Sequence, residues 1–245
     1  MKTAIEGEVK IHPVKGNRVS KEIIKQFLQI EDITSSISDV FDSLGICGAI
    51  PSSILKPIIA GKKIIGPAVT IKHIPDRVNP TDALSKKEKS KLRLLDMFPL
   101  CQEGDVAVID GGARFDVSSM GELATLLMKE KGMAGSVVDC GIRDISSIRK
   151  LDYPVWSRGV TPITGKMRFD TVEINGPVTC AGIPVRPGDL IVADDTGITI
   201  IPLERVEEVL RMTVELSKIE EKLIESIHQK KSMQELTDIL PKEKW

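Results

Sequence analysis

The sequence predicts an α/β fold with a parallel β-α-β core and a long C-terminal helix. Three observations carry that reading. Two short apolar runs, VAVID at Val106–Asp110 and GSVVD at Gly135–Asp139, have the character of strands buried on both faces of a parallel sheet. Helical spacing separates them, from about Met120 to Lys131, and Gly132 closes it. From Leu203 onward, Val206, Leu210, Thr213, Leu216, Ile219, Leu223 and Ile227 mark one face of a single helix reaching about residue 229.

The remaining elements follow in chain order. Residues 20–30 have helical spacing behind Ser20, a suitable cap, and a second helix covers Ser36 to Leu44 with Gly45 as its stop. Ile64 to Ile74 reads as a strand with Gly66-Pro67 at its start. The Lys-rich stretch from Asp76 to about Arg93 reads as a solvated helix or excursion rather than a basic binding arm, because Asp82 and Glu88 dilute its charge. After the second buried run, a short helix spans Ile145 to Leu151 and a third strand starts at Pro154 to Ser157. This β-α-β-α-β succession calls for right-handed crossovers. Beyond Thr161 come short β runs, TVEIN, PVTCAG, IPVRPGD and LIVADDTGITIIP, expected to form a smaller mixed or antiparallel sheet closing over the parallel unit. The whole chain, 1–245, reads as one domain with its core at about 33–202.

Composition narrows the function classes. With 245 residues, 41% hydrophobic and 28% charged, the chain resembles ordinary globular proteins. Its 34 Lys and Arg against 35 Asp and Glu leave a net charge of −1, which gives no electrostatic case for nucleic-acid binding. No segment is long and apolar enough to span a membrane, and Met1–Pro13 lacks the apolar run of a secretory signal. Cys47, Cys101, Cys140 and Cys180 form no CxxC pair, so a reduced cytoplasmic setting is expected, with Cys140 a small buried hydrophobe.

Ligands of open parallel sheets lie beyond the carboxyl ends of the strands, which selects the turns after Asp110 and Asp139. The first holds Gly111, Gly112, Arg114 and Asp116 and leads to Ser119-Met120-Gly121-Glu122-Leu123; N–H groups at such a helix start favour an anion. The second delivers Arg143, suited to a carboxylate or keto oxygen, and Asp144, suited to a hard divalent cation. A structural reading fits the same residues: Ser119 and Glu122 match an S-x-x-E capping box, and Asp144 matches an N-cap with Arg143 as its ion-pair partner. On spacing alone both stand. There is no GxxxxGK[ST] or GxGxxG, and His12, His73 and His228 accompany no GxSxG. Lys72 is a Schiff-base candidate if buried, although a lysine on the polar face or end of a strand is the commoner case. Asp194-Asp195 is a second metal position or simply a turn.

At GELATLLMKEKGMAGSVVDCGIRD, PVWSRGVTP and VRPGDLIVADDTGITIIP, with ITSSISDVFDSLG and GPAVTI upstream, the sequence resembles the family of 4-hydroxy-4-methyl-2-oxoglutarate aldolases and RraA-like regulators of ribonuclease activity, over roughly Ile33 to Ile227. The resemblance implies an α/β sandwich related to swivelling β/β/α domains, assembled as homotrimers or hexamers. It implies a lyase that releases pyruvate from a small 2-oxo acid, with oxaloacetate decarboxylation as a companion activity. Asp144 would hold Mg²⁺ or Mn²⁺ largely through waters and Arg143 would contact the pyruvyl group. The amides of Gly121, Glu122 and Leu123 would bind its carboxylate, and Glu122 would act through water on the metal. Glu220 or Glu221 would approach that metal from the next subunit's C-terminal helix. The regulator branch, whose members bind a ribonuclease or another protein, shares the R-D pair and the G-E-L turn. The Lys-rich excursion is longer than in compact members.

Overall fold

A computed structural model describes residues 9–14 and 18–240. The N-terminal third runs from β1 (Lys10–Ile11) through α1 (Lys21–Leu28) and α2 (Ile33–Leu44) to β2 (Ala49–Pro51), β3 (Lys56–Pro57) and β4 (Ile64–Pro75). The Ser20 hydroxyl caps α1 by accepting from Ile23 N–H, and α2 stops at Gly45 in the left-handed conformation (φ 65°). Helix α2 starts three residues earlier than its spacing indicates. The cause is tertiary: the Asp194 carboxylate, 160 residues away, accepts from both the N–H and the hydroxyl of Thr34 and so caps the helix from outside.

The middle third contains α3 (Pro80–Ser85), β5 (Val106–Asp110), β6 (Ser118–Met120), α4 (Glu122–Glu130), β7 (Gly135–Ile142), α5 (Ile145–Leu151) and β8 (Val155–Val160). The Lys-rich excursion holds only the short α3, capped by Asn79, before a 3-10 turn at Leu94–Met97 whose Leu94 and Met97 are buried. The last third is β9 (Phe169–Ile174), β10 (Val178–Cys180), β11 (Ile183–Val185), β12 (Leu190–Ala193), β13 (Gly197–Ile201), α6 (Val206–His228) and α7 (Met233–Ile239).

The main sheet has eleven strands, ordered β2-β13-β12-β4-β5-β7-β8-β3, with β9 and β1 continuing beside the second half of β4 and β6 beside β7. Strands β5, β7 and β8 form the expected parallel core, and β4 joins it in parallel register with β5. One expectation is corrected: β12 and β13 do not form a separate closing sheet. Strand β4 is twelve residues long, and its first four residues, Ile64 to Pro67, extend past β5. The exposed edge is taken by β12 in antiparallel register, and β13 and β2 follow. Only β10 and β11 stand apart, as a two-stranded sheet.

Alternation along β4 separates three layers. Val69 and Ile71 face a core shared with α4 and α5, and Ile65 on the same side meets α1, α2 and α6. Ile64 and Ala68 point the opposite way, into a core closed by Val178, Cys180 and Val185 of the β10–β11 hairpin. The layers are therefore hairpin, large sheet and helices. Helix α6 buries Val206, Val209, Leu210 and Thr213 in its first turns, whereas Ile224 and Ile227 near its end are about half exposed. Among the described residues no helix is long and apolar enough to cross a membrane.

Candidate active site

Both turns lie at the carboxyl end of the parallel strands, but the second starts only at Arg143: Cys140 to Ile142, expected in the turn, extend β7 because they pair with β6 and β8, so Asp139 lies within the strand. Asp110 and Asp139 are fasteners. Asp110 accepts from Gly112 N–H and Thr179 N–H, at 3.0 and 3.2 Å. Asp139, almost wholly buried, accepts from Ala181 N–H at 2.8 Å and pairs with Arg158 at 2.6 Å. They tie the hairpin to the sheet. In the first turn Arg114 pairs with Asp116 through two bonds, at 3.1 and 2.7 Å, and its guanidinium lies over the Phe169 ring.

The second turn reaches across to the start of α4. Strand β6 runs parallel to β7, and Arg143 N–H donates to Met120 O at 3.1 Å, which sets Gly121 directly against Arg143 and Asp144. A Cβ added to Gly121 would fall on the Asp144 carboxylate and within 2.9 Å of the Arg143 side chain. The backbone there is extended (φ −151°), so it is this close approach and not the dihedral angle that requires glycine. Asp144 adopts the left-handed conformation (φ 58°), which its short polar side chain tolerates better than most. Its carboxylate turns back towards α4, accepts from Glu122 N–H at 3.1 Å and lies 3.4 Å from Arg143 Nε.

This geometry removes the Ser119–Glu122 capping box and redirects the Asp144 cap, while the expected Arg143–Asp144 pair is present. Helix α4 begins at Glu122 with Gly121 as its N-cap, so Ser119 lies in β6, too early for a capping box, and accepts instead from Cys140 Sγ at 3.1 Å. Asp144 occupies the N-cap position of α5 without making a side-chain cap bond; it serves α4. Glu122 N–H is therefore already engaged. Among the described residues the N–H groups of Gly121, Leu123 and Ala124 have no backbone or side-chain acceptor, and these are the donors free for an anion. Ala124 was not among the expected donors, since spacing does not reveal which amide a distant carboxylate takes.

Glu122 and Asp144 are exposed and Arg143 is partly so. Glu220 and Glu221 lie on α6, where Glu220 faces Asp39 and Asp32 and burial pushes its carboxyl up. Among the described residues no three His, Cys, Asp or Glu side chains group closely enough to hold a metal ion. Asp194 and Asp195 resolve as turn residues, binding the N–H groups of Thr196, Gly197 and Gly61. Cys140 is buried, and burial pushes its thiol up to about 12, as fits a packing residue rather than a nucleophile. Lys72 is partly buried near the end of β4, in register with Asp110 and Glu173.

The family model described as RraA-like, aldolase/RraA, matches residues 34–200. The chain belongs to the RraA-like family. Its relatives include DlpA of Legionella pneumophila, 33% identical over 211 residues; the match covers 85% of this chain but only 33% of DlpA. A Halalkalibacterium halodurans protein named "Putative 4-hydroxy-4-methyl-2-oxoglutarate aldolase" is 35% identical over 190 residues, 78% of this chain and 81% of that one. Among solved structures, Streptomyces coelicolor RraAS2, described as an unusual member of the RNase ES inhibitor RraA protein family, superposes with a TM-score of 0.67 at 28% identity, covering 84% of this chain and 98% of that one.

Proposed function

We propose that this RraA-like protein is a cytoplasmic, divalent-metal-dependent lyase that cleaves a C–C bond of a small 2-oxo acid and releases pyruvate. The observation that carries the reading is the cradle of Gly121, Arg143 and Asp144 beside three free N–H groups. That arrangement offers a cation, an anion-binding helix start and a carboxylate at one point. The aldolase name carried by the Halalkalibacterium halodurans relative supports it.

The donor set fits the metal. One carboxylate, with no group of three His, Cys, Asp or Glu side chains about it among the described residues, suits a hard ion that keeps most of its waters, as Mg²⁺ and Mn²⁺ do, better than a structural zinc. When bound at Asp144 the ion supplies Lewis-acid stabilisation to the oxygens of the 2-oxo acid. The chain's own residues do the rest. The N–H groups of Gly121, Leu123 and Ala124 hold the substrate carboxylate, and Arg143 presents a fixed cation to the keto oxygen. As the bond breaks, its electron pair moves into the pyruvyl carbons and the oxygen gains charge facing Arg143. Glu122 accepts the proton of the departing hydroxyl through water, and protonation of the carbon completes pyruvate. Oxaloacetate decarboxylation passes through the same enolate. Glu220 or Glu221 of a neighbouring copy in a trimer or hexamer would add an acid to the metal.

The second reading, a non-catalytic regulator of a ribonuclease, is favoured by the description of RraAS2. A coupled pyruvate-release assay decides between them, run on oxaloacetate and 4-hydroxy-4-methyl-2-oxoglutarate with and without Mg²⁺ or Mn²⁺. Metal-dependent release from either substrate supports the lyase. Release from neither removes it in favour of the regulator.

A further inference from the structure

At the amino end of the parallel strands, opposite the cradle, a cavity of about 340 Å³ lies between the start of α1 and the turn that leads into β5. Its floor is apolar. Ile65 and Pro67 share one face of β4, the face that α1 covers, and Val19 and Ile24 pack against the same core. None of its lining residues belongs to α2 or α6. Two ion pairs frame it: Arg18 with the buried Asp105, and Lys21 with Glu103 at 3.4 Å. Lys25, one turn beyond Lys21 on the same side of α1, has no acidic partner among the described residues. Arg18 meets Asp105 through Nη2, which leaves Nη1 enclosed and without an acceptor. A buried donor on a charged group costs stability when unpaired, so its retention points to an acceptor supplied by a ligand. The cavity therefore offers three cations against two acids, with a free guanidinium edge and an unpaired ammonium above hydrocarbon walls.

We propose that this cavity binds a small monocarboxylate with an alkyl body, its carboxylate between Arg18 Nη1 and the Lys25 ammonium and its body on Val19, Ile24 and Ile65. A dianion such as a phosphate ester is the poorer occupant, because its second charge would meet Glu103 and Asp105 with no unpaired cation left to offset it. The proposal is independent of the lyase reading.

The test is titration of the full chain with hexanoate, followed by calorimetry and by methyl NMR of Val19, Ile24 and Ile65. The uncharged 1-hexanol and the cationic hexylamine are run alongside. Saturable binding of hexanoate is expected, with shifts at those methyls and weakening as salt is added. Lys25→Gln should weaken it roughly tenfold, as loss of a charge-assisted bond does, and Glu103→Gln should strengthen it by removing a like charge. Arg18→Gln alone strands the Asp105 charge and should lower the Tm. Combining it with Asp105→Asn should restore the fold and still leave hexanoate poorly bound. Arg143→Ala should not change binding, which separates this site from the anion donors at the cradle. Equal binding of hexanol, tighter binding of hexylamine, loss of binding in Arg143→Ala, an unaffected Lys25→Gln, or no saturation at millimolar hexanoate overturns the proposal.

Discussion

The Asp144 carboxylate accepts a hydrogen bond from Glu122 N–H at 3.1 Å, joining the starts of two helices 22 residues apart. One oxygen of that carboxylate is thereby held against the first turn of α4 and beside Arg143. The bond restricts the rotamer of Asp144 at no cost to its charge, which is what a preorganised site requires.

Gly121→Ala tests the cradle directly. The added methyl has nowhere to go without moving Asp144 and Arg143. Overpacking of this kind costs about 1–3 kcal/mol. A lowered Tm is expected, with pyruvate release falling far more than the change in folded fraction accounts for. Turnover close to wild type would show that Asp144 and Arg143 can shift freely and that their placement is not what the reaction uses.

Metal removal gives an independent check. Exhaustive chelation should abolish pyruvate release, and Mg²⁺ or Mn²⁺ should restore it. Full activity after chelation, together with borohydride trapping of substrate on Lys72, would replace the metal reading with a Schiff base.

Acid stability should be governed in part by His73. Its ring is buried against Phe169, with Nδ1 bonded to Thr171 at 3.0 Å, and burial lowers its pKa from the usual 6.5 to about 3. The unfolded chain therefore takes up a proton below about pH 6.5 that the folded chain refuses until about pH 3. Stability attributable to this group is full above pH 6.5 and falls by roughly 1.4 kcal/mol per pH unit below it, levelling near pH 3. His73→Asn should be less stable at pH 7 through the space it leaves, yet flatter between pH 6.5 and 4 by urea denaturation. Parallel pH profiles for the two proteins would contradict the assignment.

Local physics determined what the sequence could reveal. The β5-α4-β7-α5 succession was legible because its strands are buried on both faces and its helices are amphipathic, and Gly45 ended α2 as its type suggests. The pairing of β12 with β4 was not, since edge pairing depends on how far β4 extends beyond β5, a tertiary matter. At the site, the residue types of Gly121, Arg143 and Asp144 were readable, but their mutual contact was not. The S-x-x-E pattern at Ser119 and Glu122 pointed to a cap that a distant aspartate supplies instead. Helix α7, by contrast, carried a legible signal, the S-x-x-E capping box of Ser232 and Glu235.

Arg143 and Asp144 variants separate charge from geometry. Asp144→Asn keeps an acceptor for Glu122 N–H, so Tm should change little, while metal affinity weakens and turnover collapses for want of the charge. Arg143→Ala should lower turnover by roughly 100- to 1000-fold, the usual loss for one preorganised donor. Arg143→Lys keeps the charge without the planar fork and should be poorly tolerated. Near-normal turnover in Asp144→Asn would sink the metal assignment.

Self-association is the last expectation, because the site as drawn borrows an acid from a neighbour. Phe115, Leu123 and Val160 are 67%, 77% and 59% exposed at the turn after β5, the start of α4 and the end of β8, the end of the sheet where the cradle lies. Ile224 and Ile227 are 54% and 49% exposed near the end of α6, the helix that carries Glu220 and Glu221. Apolar side chains grouped in this way mark contact surfaces, and closed symmetric rings bury both without leaving an open end. Light scattering should report a trimer or hexamer at micromolar concentration. Val160→Asp should shift it towards monomer, and turnover should fall with the oligomer although Val160 contributes no polar group to the reaction. A monomeric wild-type chain with full metal-dependent activity would exclude Glu220 and Glu221 from the site and leave Asp144 as its sole metal-holding carboxylate.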